Sequence, residues 1–168
     1  MNKLEMKLCG DLELRTRCEP VEKIDSCILD IMNEMEQMMR EQNGVGLAAP
    51  QVGILKRFLV MMDPDNGNVF KMINPEIISH SPENVMLEEG CLSVLGPDNL
   101  PVYAKVSRPE SVVVSWTDEY GKKLKAEMHG IPARIVQHET DHLNGVLFID
   151  YLSGVRREMV MRKVRRRK

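Results

Sequence analysis

His138, Glu139 and His142 spell HExxH, the densest grouping of metal-ligating and proton-transferring side chains in the sequence. On a helix, a step of four residues advances about 6 Å and returns to the same face, so the two imidazoles can share one metal ion. Two histidines do not complete a site. A catalytic metal needs a third protein ligand and an open position for water. The longer metalloprotease pattern HExxHxxGxxH is matched through Gly145 but ends on Phe148, which has no ligating atom. His80, among Ser and Pro, and His129, beside Gly130, read as solvated loop histidines. Cys91 stands in EEGCLSV, where Gly90 lets the backbone approach a neighbour closely and a thiolate is a strong ligand for iron or zinc. A lone cysteine, however, is more often a small buried apolar residue.

Taken together, GVGLAAPQ at 44–51, EGCLS at 89–93 and QHETDHLNG at 137–145 resemble the three signature motifs of peptide deformylases, in that family's order and over about residues 12–155. The resemblance implies that Cys91, His138 and His142 bind one divalent metal ion, usually Fe2+ in the family, with Zn2+, Ni2+ or Co2+ as substitutes. It implies Glu139 as general base and acid, and Gln51 with the backbone N–H of Leu92 as the oxyanion hole. It places the backbone near Val45 and Gly46 against the substrate peptide, counts Gly90 among the substrate-binding residues, and sets Val45, Ile131 and Ile135, with Glu89 beside them, around the pocket for a methionine side chain. These roles suit hydrolysis of a formyl amide. A bound metal makes water nucleophilic near neutral pH, and each well-placed donor stabilises a developing oxyanion by ~3 kcal/mol. Glu139 can then return its proton to the leaving amine, releasing formate.

The same comparison marks three departures. CGDLELR lacks a proline usual near that point, Arg134 stands where an apolar residue is common, and the stretch VLGPDNLPVYAKVS is longer than in the shorter members. Arg108, followed by Pro109, matches an arginine that contacts substrate or supports the site.

The elements that must position these residues are partly readable. Apolar residues at 28, 31, 32, 35, 38 and 39 recur at helical spacing, with Asp25 or Ser26 as cap. RFLVMM and VFKMI flank the turn-rich DPDNGN, and SVVVSWTD and KLKAEM flank EYGK, so two antiparallel hairpins are expected. Gly130 and Pro132 open the helix that carries HExxH and Gly145 stops it, after which LFIDYL reads as a brief strand. The predicted architecture is α+β: antiparallel strands packed around a central HExxH-bearing helix, with an N-terminal amphipathic helix and a C-terminal basic helix.

The 168 residues fit one catalytic domain, 1–168, with 155–168 as a basic helical tail. With 43% apolar and 29% charged residues, the chain is neither disordered nor a coiled coil throughout. No apolar run approaches the ~20 residues of a membrane span. No signal peptide is visible, and the four cysteines form no CxxC pair, so the expected location is the cytoplasm. The net charge of −2 conceals a tail from Val155 to Lys168 with eight basic residues and one Glu. Its apolar Val155, Met159, Val160 and Val164 suggest one apolar stripe, and its cations suit RNA phosphate. The expected partners are N-formylmethionyl peptides and, through the tail, the ribosome, with no membrane. The competing functions are an HExxH metalloprotease, disfavoured by Phe148 and by EGCLS, and a ribosome- or RNA-binding module with a structural metal.

Overall fold

The computed structural model describes residues 4–167; Met1–Lys3 and Lys168, the last residue of the expected tail, lie outside them. Asp25 starts the first helix, α1 (Ser26–Glu41), by accepting a 3.0 Å hydrogen bond from the Ile28 N–H, a cap worth ~1 kcal/mol. Met32, Met35 and Met39, spaced along one face, are fully buried.

Five strands form the larger sheet. They are β1 (Gly46–Ala48), β2 (Phe58–Met62), β3 (Val69–His80), β6 (Ser111–Thr117) and β7 (Lys123–His129), all antiparallel and in that spatial order. β4 (Asn84–Glu89) and β5 (Ala104–Pro109) form a separate antiparallel ribbon. β2 is apolar at every position because both faces of the sheet are covered. Phe58 and Val60 pack in the cluster with the α1 methionines, and Leu59 and Met61 pack on the opposite side against α2 (Gly130–Leu143). Alternation along the strand sends successive side chains to these two layers.

A third cluster joins the ribbon to the C-terminal part of the chain. Val94, Val102 and Val106 pack with Leu147, Phe148, Ile149 and Val160. Val160 belongs to α3 (Gly154–Val164), whose Met161 and Val164 are partly buried in the same cluster. Val155 and Met159 are exposed, so the apolar stripe is Val160, Met161 and Val164 rather than the four residues read from spacing. LFIDYL is not a strand but a 3-10 turn, Phe148–Tyr151, because Asp150 folds back to accept a hydrogen bond from the Leu147 N–H at 2.9 Å.

The expected fold class, antiparallel strands packed around a central HExxH-bearing helix, is corrected at its metal site. The fold is α+β with antiparallel sheets and three α-helices among the described residues, but the potential ligand cluster is a Cys-His-His triad, Cys91, His138 and His142. The helical motif supplies two of the three ligand atoms, and its Glu139 lays its carboxylate against Gly46 of β1 instead. The remaining ligand comes from the chain just beyond β4, outside the reach of any local helical pattern. No helix of the described residues is long and apolar enough to cross a membrane.

Candidate metal centre and cleft

Three buried residues converge where the end of the ribbon meets α2. The ligand atoms of Cys91, His138 and His142 lie within 4.8 Å of one another, and Cys91 Sγ is 3.3 Å from His142 Nε2. One thiol and two imidazoles form a donor set suited to a divalent transition metal. Among the described residues three buried side-chain polar atoms have no partner, Glu139 Oε2, Thr140 Oγ1 and His142 Nδ1, all on α2 and too deep to be left unsatisfied without cost. The residues therefore fit a bound metal and solvent. His80 and His129 are exposed and belong to no ligand group found among the described residues. Phe148, at the last position of the long protease pattern, stacks on His138 with ring centroids 6.1 Å apart.

His138 is oriented by Glu89, whose Oε2 lies 3.0 Å from Nδ1, leaving Nε2 for the cluster. Such a carboxylate partner fixes the ring and strengthens it as a ligand. Glu89 is itself held by two guanidinium groups. Its Oε1 accepts hydrogen bonds from Arg108 Nε and Arg134 Nη1, each at 2.6 Å, and its Oε2 accepts one from Arg108 Nη2 at 3.0 Å. Arg108 also donates to Asp141 Oδ2 at 2.7 Å and lies over the Tyr151 ring, 4.7 Å from its centroid. Tyr151 in turn donates to Asp141 at 2.9 Å. Arg134 spends its other donors on the carbonyls of Val85 and Val106, so its charge is absorbed beneath the ribbon although the residue lines the cleft.

These contacts set the titration of the site. Burial would raise the Glu89 carboxyl, but hydrogen bonds from His138 and Arg108 and the arginine's charge hold it at about 2. Arg108 is pushed above its ordinary value because the carboxylates of Glu89 and Asp141 outweigh its burial. Burial pushes Glu139 up to about 7, against the pull of His138 and Arg108. Burial lowers His142, as do the charges of His138 and Arg108. His138 is raised, burial being overcome by its hydrogen bonds to Cys91 and Glu89.

A cavity of about 430 Å³ opens in front of the triad. It gathers Val45, Gly46, Gln51, Glu89, Gly90, Cys91, Leu92, Ile131, Ile135, His138 and Glu139, while His142 sits behind, 1% exposed. Gln51 is placed by the 3-10 turn Ala49–Val52 after β1. Its Oε1 accepts from the Ala48 N–H at 2.8 Å, and its Nε2 donates to Ser93 Oγ at 3.1 Å and faces Cys91 Sγ at 3.6 Å. Ser93 N–H also points at that sulfur, at 3.4 Å. Gly46 is required by close approach, since a Cβ there would overlap the Glu139 carboxylate. A Cβ on Gly90 would lie 2.5 Å from Tyr103 Cε1, so that ring covers Gly90 and walls the cleft.

Arg134, Asp141, Tyr151, Ser93 and Tyr103 carry parts of this arrangement that sequence reasoning did not assign. Asp141 follows His138 by three positions on α2, and Ser93 follows Cys91 by two; each adjacency was a usable signal. Tyr103 had none, because it returns to the cleft only after the long loop.

Comparison with known proteins agrees in length and in architecture. Residues 4–158 match the family model for polypeptide deformylase. The chain is 43% identical to the peptide deformylase of Endomicrobium trichonymphae over 169 aligned positions, covering 100% of this chain and 97% of that protein. Among solved structures, it resembles a peptide deformylase from Legionella pneumophila with a TM-score of 0.87 and 39% identity, covering 96% of this chain and 93% of the other. It also resembles that of Ehrlichia chaffeensis in complex with actinonin, with a TM-score of 0.89 and 37% identity, covering 98% and 97%.

Proposed function

The chain belongs to the polypeptide deformylase family, metal-dependent hydrolases that remove the N-formyl group from nascent polypeptides, and from that premise we propose how its own residues perform the reaction. The observation that carries the reading is the convergence of one buried thiol and two buried imidazoles at the wall of a cleft. Cys91, His138 and His142 would hold the cation, which we assign as Fe2+, with Zn2+, Ni2+ or Co2+ as substitutes. When bound, it supplies Lewis acidity that polarises the formyl carbonyl and makes water nucleophilic at neutral pH.

Glu139 takes the proton of the attacking water and passes it to the leaving amine. Its support is position: it neighbours His138 on α2, lines the cleft, and keeps one carboxylate oxygen without a partner in the fold. Gln51 and the backbone N–H of Leu92 donate to the oxyanion. Ser93 occupies one hydrogen of the Gln51 amide, and the other points at Cys91 Sγ, 3.6 Å away, a long contact that would give way to a formyl oxygen. The backbone near Val45 and Gly46 holds the peptide, Gly90 lies beside it in the cleft, and Val45, Ile131 and Ile135, with Glu89 beside them, enclose the methionine side chain. The products are formate and a free amino terminus. The test is formate release from formyl-Met-Ala-Ser with its peptide bonds intact. Replacing Glu139 with Gln should lower kcat by ~10²–10⁴-fold while metal content is kept; full activity in that variant defeats the assignment, and metal analysis after anaerobic purification decides the ion.

We further propose one catalytic domain, 1–168, working in the cytoplasm, a setting that suits four free cysteines, and a basic tail, 155–168, that docks on the ribosome. The support for docking is the row of exposed cations Arg162, Arg165 and Arg166, suited to RNA phosphate. Because Val160 is buried, deleting the tail would disturb the core. Reversing those three charges to Glu is the cleaner test. Ribosome co-sedimentation at low salt should then be lost, and unchanged binding refutes the idea.

A further inference from the structure

A second groove, of about 260 Å³, lies between β5 and α3 and shares one wall with the catalytic cleft: Tyr103 lines both. Its other sides are Lys105 of β5 and Arg156, Met159, Val160 and Lys163 of α3. The α3 residues follow helical spacing, so they form one face turned to the ribbon. The cations considered above for the ribosome, Arg162, Arg165 and Arg166, do not line this groove. Lys163 is fixed close to the long loop, since a Cβ on Gly96 would come within 3.7 Å of its Cβ.

The groove is apolar at its base and positive at its rim. Val160 is buried, whereas Met159 and the Tyr103 ring are largely exposed. The nearby ion pairs engage other cations, joining Arg157 to Asp150 at 3.3 Å and Arg165 to Glu158. Glu88 is the cross-strand neighbour of Lys105, yet among the described residues Lys105, Arg156 and Lys163 have no carboxylate within ion-pair distance. Three unpaired cations around apolar surface, continuous with the cleft across a single aromatic ring, form a site for an extended chain carrying negative charge.

We propose that this groove binds the part of the substrate peptide downstream of the residues held in the catalytic cleft, and that it favours acidic side chains there. The proposal rests on the deformylase reading above and adds a specificity for it. Val160 and Met159 supply contact for the peptide stem, and Lys105, Arg156 and Lys163 select carboxylates. Binding energy gained so far from the formyl group is shared by ground and transition states, so it acts on KM and leaves kcat unchanged.

The experiment compares formyl-Met-Ala-Ser with the same tripeptide extended by three Glu, three Ser or three Lys. At about 20 mM salt the Glu extension should raise kcat/KM about three- to tenfold over the Ser extension, through KM, and the Lys extension should lower it. The gain should vanish at about 0.5 M salt. The double variant Arg156→Glu, Lys163→Glu should invert the order of the extended peptides and leave the tripeptide rate unchanged. Equal rates for the three extensions, or a preference that survives the double variant, overturn the proposal. If the extensions are equal and a structured RNA fragment competes with none of them yet binds with loss in the double variant, the groove belongs to RNA and the proposal is likewise overturned. Failure of the tripeptide itself to release formate would strike the deformylase reading instead, so the two failures are distinguishable.

Discussion

The face of α2 that meets the five-stranded sheet and the face that meets the β4–β5 ribbon are held by different forces. Toward the sheet, Ala133, Val136 and Leu143 pack with Leu59, Met61, Met72 and Val114, all essentially inaccessible. Toward the ribbon, Arg134, His138 and Asp141 follow one another at helical spacing, and Glu89 and Arg108 answer them across the gap. Dispersion and burial tolerate small rearrangements, whereas a buried ionic network holds direction, because every donor and acceptor must find its partner. The directional side is where the imidazole of His138 must be aimed. Apolar packing anchors the helix, and charge orients the site.

Removing Glu89 should break this contrast most strongly. Glu89→Ala leaves Arg108 and Arg134 buried without their shared carboxylate, which should cost ~3–5 kcal/mol in urea melts. It should also weaken metal binding roughly 10–100-fold, since His138 loses its orienting partner. A variant within about 1 kcal/mol of the parent, with unchanged metal affinity, would mean that the network is ornamental. The pH dependence examines the same carboxylate more gently. Its ordinary value is 4.5 and the folded value is about 2, a depression, so its stabilisation is complete above about pH 4.5 and disappears as pH falls toward about 2. The stability difference between the parent and Glu89→Gln should therefore narrow by ~3 kcal/mol on acidification. A constant difference between about pH 6 and pH 3 would contradict it.

On the other face, Met72→Ala should cost ~2–3 kcal/mol, at the low end for such truncations because the adjacent methionines can shift toward the space. Its metal affinity should match the parent in a titration of the apo protein. A parallel loss of affinity would show that the two faces are not separable. The smallest effect is expected at Gly90→Ala. There the added methyl must displace the Tyr103 ring, which is 61% exposed and free to move. Stability should change by less than about 1 kcal/mol, while KM for formylated peptides rises.

The sequence was most informative where a local period carries the structure. The spacing from Ile28 to Met39 matches α1, and the apolar runs around DPDNGN and EYGK match β2–β3 and β6–β7. The two imidazoles were legible for the same reason, four residues apart on one helix. β5 was not legible: in AKVSRP the inward positions are Val106 and Arg108, and a pattern that places cations outside misreads a strand whose arginine is buried in an ion network. Arg134 was marked as a departure only because it stands where the family commonly has an apolar residue; its burial in the same ion network was not legible. The Tyr103 position and the groove beyond it depend on how a long loop folds back, which no period encodes. Cys91 became a ligand only through resemblance, since a lone cysteine has no period at all.

The contact between Gly46 and Glu139 ties two distant stretches of the chain to one property. A strand-edge residue with no side chain sets the space in which a helix-borne acid can lie, so position 46 limits where that carboxylate can sit without itself bonding to it. For anyone redesigning this cleft, the glycine is as much a constraint on acidity as the glutamate itself, and enlarging the one amounts to relocating the other.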